Sequence, residues 1–458
     1  MTALPEPIVV IVGAGPAGVR AAETLARAGL RSIVLDEAAR PGGQIYRQPP
    51  GASGRVSTDV YGFDARKATA IHRVLGDHAD RIDHRPGTLV WNVFGRRLDL
   101  LTADGYREQP FDHLILATGA MDRVLPFPGW TLPGVFTLGG AQVALKAQGV
   151  SIGRRVALVG AGPLLPLVTH QYAKAGVSVV AALDVTAFGS KLAQAPRMLA
   201  SAGTFAKGLW YTARNRLRGL DVRYGVRAIR VEGKGQVEAL LWRDSAGHEH
   251  RVDCDAVGAS FGLRPEAQLA DLAGCRFVFD VDARQWMPER SAEGRSSVPG
   301  IYLAGDGARI GGADVAELQG RRTALALLED LGHAVDRREL LRLDRGLARQ
   351  ARFRRALDAA YPYPSHLLDA VGDEEIVCRC EGITAGALRQ AAHERDAREI
   401  NRTKAFTRIG MGRCQGRVCG EAAAELLARA CDSDLERVGR LRGQAPVKPI
   451  PIVVRSAA

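Results

Sequence analysis

The chain runs to 458 residues and contains seven cysteines, yet none precedes Cys254. A redox-active Cys-x-x-Cys pair is therefore missing from the first half, which excludes thiol–disulfide exchange at a site built there. Nowhere do about eighteen apolar residues follow one another, and the opening Met-Thr-Ala-Leu-Pro-Glu-Pro has neither the charged nor the apolar region of a signal peptide. A soluble, cytoplasmic protein is the expectation. The ten histidines form no metal-ligand pattern, and His248-Glu-His250 falls in a polar stretch that reads as a solvated hairpin. No acid–base catalytic pair stands out.

The formal charge is +12, but the arginines are spread through every segment and are not interleaved with aromatics, so nucleic acid is not an expected partner. The densest basic stretch, Arg337 to Arg355, mixes arginine with leucine and alanine at helical spacing and reads as an amphipathic linker helix. Docking on an acidic protein, or peripherally on an anionic inner-membrane surface, stays open. Hydrophobic residues make up 46 % of the chain, enough at this length for two or three full cores.

What is present is most informative near the C-terminal end. Cys378-Arg379-Cys380 is followed, after thirty-three residues, by Cys414-Gln-Gly-Arg-Val-Cys419. Four thiolates brought to one place can hold a 2Fe-2S cluster. Zinc also takes four sulfurs, although one residue between Cys378 and Cys380 is shorter than its usual spacing. The cluster, structural zinc and unligated thiols all remain open on these residues. Gly420 opens a helical run whose N-terminal dipole favours thiolate charge, and Thr384 is a suitable N-cap for a helix from Ala385. The loop Ile409-Gly-Met-Gly-Arg413 lets backbone wrap closely. Cys254, Cys275 and Cys431 read as small buried hydrophobes.

At the other end, a strand ending at Val12 leads into Gly13-Ala-Gly15-Pro16-Ala17-Gly18, a helix and a second strand ending at Asp36-Glu37. This is the glycine turn of a dinucleotide-binding βαβ unit, with the helix N-terminus facing a pyrophosphate and Asp36 placed to accept from ribose hydroxyls. The loop containing Gly43 and Gln44, the strand end Ala117-Thr118-Gly119 and the strand end Gly305-Asp306 follow in order. They resemble the returning elements of FAD-binding flavoproteins of the two-dinucleotide-domain class, in which Asp306 would hold the ribityl chain. A second βαβ unit lies between them, with Gly160 and Gly162 in its turn and Asp184 at its second strand end. Leu165 replaces its third glycine and no arginine pair follows the second strand, so tight NAD(P)H use is not expected; another adenine nucleotide, or no ligand, are the two readings left.

Together, Pro41-Gly-Gly-Gln-Ile-Tyr-Arg47, Pro128-Gly-Trp-Thr-Leu-Pro-Gly134, Gly160-Ala-Gly-Pro-Leu164 and the four cysteines resemble the α (A) subunits of heteromeric opine-oxidase, D-hydroxyproline-dehydrogenase and hydrogen-cyanide-synthase-type flavoenzymes. The cysteine module is similar to bacterioferritin-associated ferredoxin. The resemblance implies an α/β fold of nested Rossmann-like domains with a small α-rich 2Fe-2S module. The expected divisions are 1–125 and 263–330 for the FAD domain, 126–262 for the inserted unit, 331–370 for a helical linker, 371–440 for the module and 441–458 for a tail. It also implies FAD, a 2Fe-2S cluster with Cys378, Cys380, Cys414 and Cys419 as ligands, and room for a further flavin at a subunit interface. The implied partners are a D-amino-acid-oxidase-like FAD β subunit that oxidises an amino or imino acid, a small third ferredoxin-like subunit in some assemblies, and a quinone or dye as acceptor. The rival readings are a stand-alone NAD(P)H:acceptor reductase and a zinc-stabilised interaction domain on a degenerate flavoprotein scaffold.

Overall fold

The structure, a computed structural model, describes residues 6–50 and 60–452. The strand Val9–Val12 carries four consecutive buried side chains, the pattern of a strand covered on both faces. It lies at the centre of a five-stranded parallel sheet, with Ser32–Leu35 and Ile82–Arg85 on one side and His113–Leu116 and Ile301–Leu303 on the other. The helix Pro16–Arg27 begins with proline, whose missing N–H costs nothing in a first turn, and packs on the helix Ala313–Asp330. A three-stranded antiparallel sheet, Leu89–Phe94, Arg97–Thr102 and Gly105–Pro110, is inserted before His113.

The second unit repeats this plan. Its parallel sheet has the order Val222–Tyr224, Ser178–Asp184, Arg155–Gly160, Ala256–Ser260, Val135–Thr137. Beside it lies the antiparallel set Ala228–Glu232, Ala239–Arg243 and Glu249–Asp253. There His250 stacks on Trp242 with ring centroids 5.3 Å apart and bonds Asp244 at 2.8 Å, a hairpin contact and not a metal pair. The chain leaves the first unit through Ala120–Asp122 and returns through Leu263–Pro265; the two pair antiparallel, so the second unit is nested within the first.

The basic stretch forms the helix Arg337–Ala360, capped by Asp336, whose Oδ1 accepts from the Arg338 amide at 2.8 Å. It buries Phe353, Ala356 and Ala360 with Met198 of the helix Phe188–Met198 and leaves most of its arginines to solvent. The C-terminal module consists of the short pair Ile376–Cys378 and Ile383–Thr384 with helices Ala385–Glu394, Ile400–Thr407, Gly420–Ala430 and Leu435–Val438. Thr384 caps the first of these by accepting from Ala387 N, as its position predicts. The module shares one core with the second unit, and Trp130 Nε1 donates to Ile376 O at 2.6 Å. Beyond it the chain runs back to the first unit, where Val447 is buried and its amide meets Trp91 O at 3.0 Å. Among the described residues no helix is long and apolar enough to cross a membrane.

Candidate functional site

Four elements far apart in sequence converge on the turn after Val12. Gly15 and Gly43 meet backbone to backbone: a Cβ on Gly43 would lie 3.0 Å from Gly15 Cα, and its φ of 59° is one that glycine adopts readily, so a glycine at 43 lets the loop carrying Gln44 close over the turn. Gly305 sits against Ala17, where a Cβ would come within 2.7 Å of the alanine methyl. Gly13 N donates to Leu35 O at 2.8 Å, and Ala117 N to Val12 O at 2.9 Å, which holds the three strand ends level. Pro16, Ala17 and Gly18 are buried in the first helical turn, and Gln44 is exposed on the covering loop.

The two acids of the second strand end behave differently. Asp36, the acid expected to meet a ribose, accepts from the Ala38 amide at 2.6 Å through Oδ1 and from Ala14 N through Oδ2, so both oxygens brace the turn. Burial pushes its carboxyl up, and those two amides oppose the shift. Glu37 is the more exposed acid and pairs with Lys448 of the returning tail. Asp306 accepts from Gly311 N at 2.7 Å and Gly312 N at 3.0 Å, both through Oδ1. Burial raises its carboxyl, against the pull of the two amides and the fields of Arg354 and Arg290. Its Oδ2 has no partner among the described residues, which suits a carboxylate meant to accept from a ligand hydroxyl. The cradle of bare backbone and the half-engaged Asp306 fit a dinucleotide with a polyol chain.

The second unit presents no such arrangement. Gly160 and Gly162 form its turn, but Leu165 fills the space behind them in a core with Val156, Leu158, Val168 and Tyr172. Asp184, the acid expected to meet a ribose, is buried in an ion pair with Lys191 and accepts from Thr186 N at 2.9 Å. The Lys191 ammonium stands over the rings of Tyr224 and Tyr361, at 4.3 and 4.9 Å. The charge that would select a ribose is thus already neutralised and covered.

In the module the four cysteines come together as a linked set: Cys419 contacts Cys378 and Cys414, and Cys414 contacts Cys380. Hydrogen bonding from Cys419, ahead of the opposing effect of burial, draws Cys378 down to about 6 and Cys414 to about 5. The amides of Gly410, Glu381 and Cys380 point at the first sulfur and those of Val418 and Gly416 at the second. Cys419 itself is pushed well up. No three His, Cys, Asp or Glu among the described residues close on one point as the ligands of a single ion do. A 2Fe-2S cluster takes four thiolates, and the linked set supplies four. Cys254 and Cys275 are buried and Cys431 half-buried, all apart from this set.

The basic residues that neighbour these cysteines in sequence are mostly turned elsewhere. Arg417 Nε lies 2.6 Å from Glu266 Oε2, Arg408 pairs with Glu381 at 2.9 Å, and Arg379 covers the Trp130 ring at 5.4 Å. Arg413 is exposed. Lys404 is buried without a carboxylate partner, 7 % exposed, donating to Gln444 Oε1 at 3.1 Å and feeling the charge of Cys419. Sequence reasoning passed over Glu266 altogether. Its amide donates to Gly119 O at 2.9 Å and its carbonyl accepts from Thr118 Oγ1 at 2.5 Å, so one residue joins the flavin-type strand end to the cysteine loop. No spacing rule marks such a residue.

Fold and sites together define a two-cofactor flavoprotein, with a dinucleotide cradle in one unit and an iron–sulfur module attached. Residues 7–320 match the pyridine nucleotide-disulphide oxidoreductase family, and residues 376–429 match the BFD-like 2Fe-2S binding domain. The chain belongs to this flavoprotein family, in the branch formed with the α (A) chains of opine oxidases and with hydrogen cyanide synthase subunit HcnB. It is 38 % identical to the α (A) chain of the opine oxidase of Rhizobium meliloti, over 96 % of this chain and 86 % of that one. To hydrogen cyanide synthase subunit HcnB of Pseudomonas aeruginosa it is 34 % identical, over 96 % and 97 %. The crystal structure of L-proline dehydrogenase from P. horikoshii superposes with a TM-score of 0.70 at 20 % identity, covering 97 % of this chain and 78 % of that one, and so shares the fold. The first family match implies FAD and the second a 2Fe-2S cluster, which sets the zinc reading aside.

Proposed function

We propose that this chain is the electron-transferring subunit of a heteromeric amino or imino acid dehydrogenase, in which a partner subunit of the D-amino-acid-oxidase type oxidises the Cα–N bond. FAD accepts electrons in pairs and releases them singly, while a 2Fe-2S cluster takes one at a time, which makes the two together a relay. The observation that carries the reading is Glu266, whose backbone holds Thr118 and Gly119 and whose carboxylate holds Arg417, two residues before Cys419. It fixes the cysteine loop against the flavin-type strand end. Gly15, Gly43 and the first helical turn would take the pyrophosphate, Glu37 a ribose and Asp306 the ribityl chain; Cys378, Cys380, Cys414 and Cys419 would hold the cluster.

The sealed Asp184 speaks against entry of hydride from NAD(P)H at the second unit, and the relatives named as subunits, of an opine oxidase and of hydrogen cyanide synthase, support a partner chain. The substrate classes consistent with those relatives are opines, proline, hydroxyproline and glycine. Co-expression with an adjacent D-amino-acid-oxidase-like reading frame tests the assembly: dye-linked oxidation of one of these should appear only with both chains. Substantial amine oxidation by the purified single chain, or rapid anaerobic bleaching by NADH, would overturn the proposal.

A further inference from the structure

The helix Ala202–Leu217 of the second unit buries one narrow face. Its buried side chains are Tyr211 and Asn215, four residues apart and so one above the other, and Asn215 Nδ2 donates to Pro166 O at 2.9 Å, which fixes the helix on its neighbour Leu164–Lys174. The opposite face is apolar as well. Ala202, Ala206, Leu209, Ala213 and Leu217 recur at intervals of four, three, four and four residues, and all five face solvent. Leu209 is 54 % exposed and Leu217 80 %. A helix that is apolar on both faces is ordinarily covered on both, and the four-and-three spacing is that of a stripe which meets another helix.

Trp210 borders the stripe and, across the seam between the units, meets Phe63 edge to face with ring centroids 4.9 Å apart. Beside them Lys207 Nζ bonds Asp64 Oδ1 at 2.8 Å. Phe63 is itself 58 % exposed, so the apolar surface runs from the second unit onto the first.

Charge decides what can cover this surface. Between Asp184 and Asp221 there is no aspartate or glutamate, but there are six lysines and arginines. Arg214, Arg216 and Arg218 are exposed at the end of the stripe and have no carboxylate partner among the described residues; Arg216 lies over the Tyr224 ring and Arg218 reaches only a backbone oxygen, His170 O. A second copy would bring no acid to these cations and would add arginine to arginine. A helix lying on lipid gains from bulk at every outward position, whereas alanine at 202, 206 and 213 gains little there and permits close approach of another backbone.

We propose that this face is where the partner subunit of the D-amino-acid-oxidase type docks, through a helix whose apolar stripe is flanked by aspartate or glutamate. The proposal rests on the heteromeric reading above and gives that partner its place on the chain. Leu209, Trp210 and Leu217 form the dry centre of the contact, and the three arginines form the rim that steers approach. The face adjoins the covering loop of the dinucleotide cradle: Tyr61, two residues before Phe63, donates through its hydroxyl to Arg47 O at 2.9 Å. A partner seated here stands next to the loop that closes over Gly15.

The test co-expresses the holoprotein, alone tagged, with the oxidase-like chain of the adjacent reading frame. The wild-type pair should co-purify and run as one species in size-exclusion light scattering. Leu209→Glu combined with Leu217→Glu should weaken the complex about a hundredfold or more, while flavin content, iron content and thermal midpoint of the isolated chain stay unchanged, because both side chains already face solvent. Arg214→Glu combined with Arg216→Glu should weaken it about tenfold at low salt and less at high salt. Phe94→Glu, at an exposed aromatic of the antiparallel sheet in the first unit, should leave it intact. A complex that survives the double leucine substitution undiminished overturns the surface and leaves the heteromer standing; a wild-type chain that never takes up the oxidase-like chain overturns both. A homodimer split by the same two substitutions, or phosphatidylglycerol vesicles that sediment the wild type but not that variant, would assign the face to a second copy or to lipid and refute the proposal.

Discussion

Arg417 meets Glu266 across the seam between the cysteine module and the first unit, with Nε 2.6 Å from Oε2 and Nη2 3.4 Å from Oε1. Both side chains are mostly buried, and a further Arg417 nitrogen reaches Val447 O in the returning tail. One guanidinium therefore clamps three segments: the cysteine loop, the strand end beside Gly119 and the tail.

Removing either partner leaves the other charge poorly solvated, at a cost on the order of 2 kcal/mol. Glu266→Gln and Arg417→Met should lower the denaturation midpoint. They should also slow reoxidation of the flavin in single-turnover stopped flow, because docking of the module loosens. The double variant should lose less than the sum of the two. Additive losses in that cycle would show that the pair acts only through unrelated contacts.

Asp306 serves two needs at once, since Oδ1 caps Gly311 and Gly312 ahead of the helix Ala313–Asp330. Asp306→Ala removes the cap and the ribityl acceptor together, and most of the flavin should be lost on gel filtration. Asp306→Asn keeps an oxygen for the amides, so it should stay folded while holding flavin more weakly. Full flavin content in the alanine variant, with unchanged affinity, would refute the assignment.

The parts legible in the sequence are those fixed by short-range pattern. The glycine turn at Gly13 to Gly18, the Thr384 cap and the helix from Gly420 each depend on neighbours within a few residues, and each stands where its pattern places it. The Cys378, Cys380, Cys414 and Cys419 set was legible because thiol ligands are rare and paired. Long-range charge pairs have the opposite character. Arg417 finds Glu266 from 151 residues away, and the Lys191 ammonium that seals Asp184 lies under Tyr361, which arrives from the end of another helix. An ion pair leaves no periodic trace, so which charges face a site is decided by packing that no local motif records.

Lys146 gives a pH-dependent test of such packing. It lies in the π-helical turn Ala144–Gln148, 5 % exposed, and donates to Ile45 O at 3.0 Å beside the covering loop. Burial draws it down to about 8, against a weaker opposing pull from Asp64. A lysine lowered on folding binds fewer protons in the native than in the unfolded state, so its penalty is complete below about pH 8 and fades as pH rises towards its unfolded value. Lys146→Met should therefore stabilise the fold at pH 7 by on the order of 3 kcal/mol, and by much less at pH 10. Urea titrations at both values measure this. An advantage that does not shrink with pH would mean that packing, and not charge, sets it.

The potential of the cluster should depend on Lys404 more than on the arginines that adjoin its ligands in sequence. Reduction adds negative charge to a four-thiolate centre, and a nearby cation favours the reduced state. Arg417 and Arg408 are already balanced by Glu266 and Glu381, so their net fields at the cluster are small. Arg413 is exposed, where water and salt screen it. Lys404 is buried with an amide oxygen as its partner and acts on Cys419 through a less polarisable medium. A charge felt at on the order of 1 kcal/mol shifts a one-electron couple by about 40 mV. Lys404→Met should accordingly lower the cluster midpoint by tens of millivolts at low salt, with iron content intact, and Arg413→Gln by only a few. Electron paramagnetic resonance titrations of the two variants decide between them. A larger shift for Arg413→Gln would place its guanidinium against the cluster in solution and return the electrostatic control to the loop.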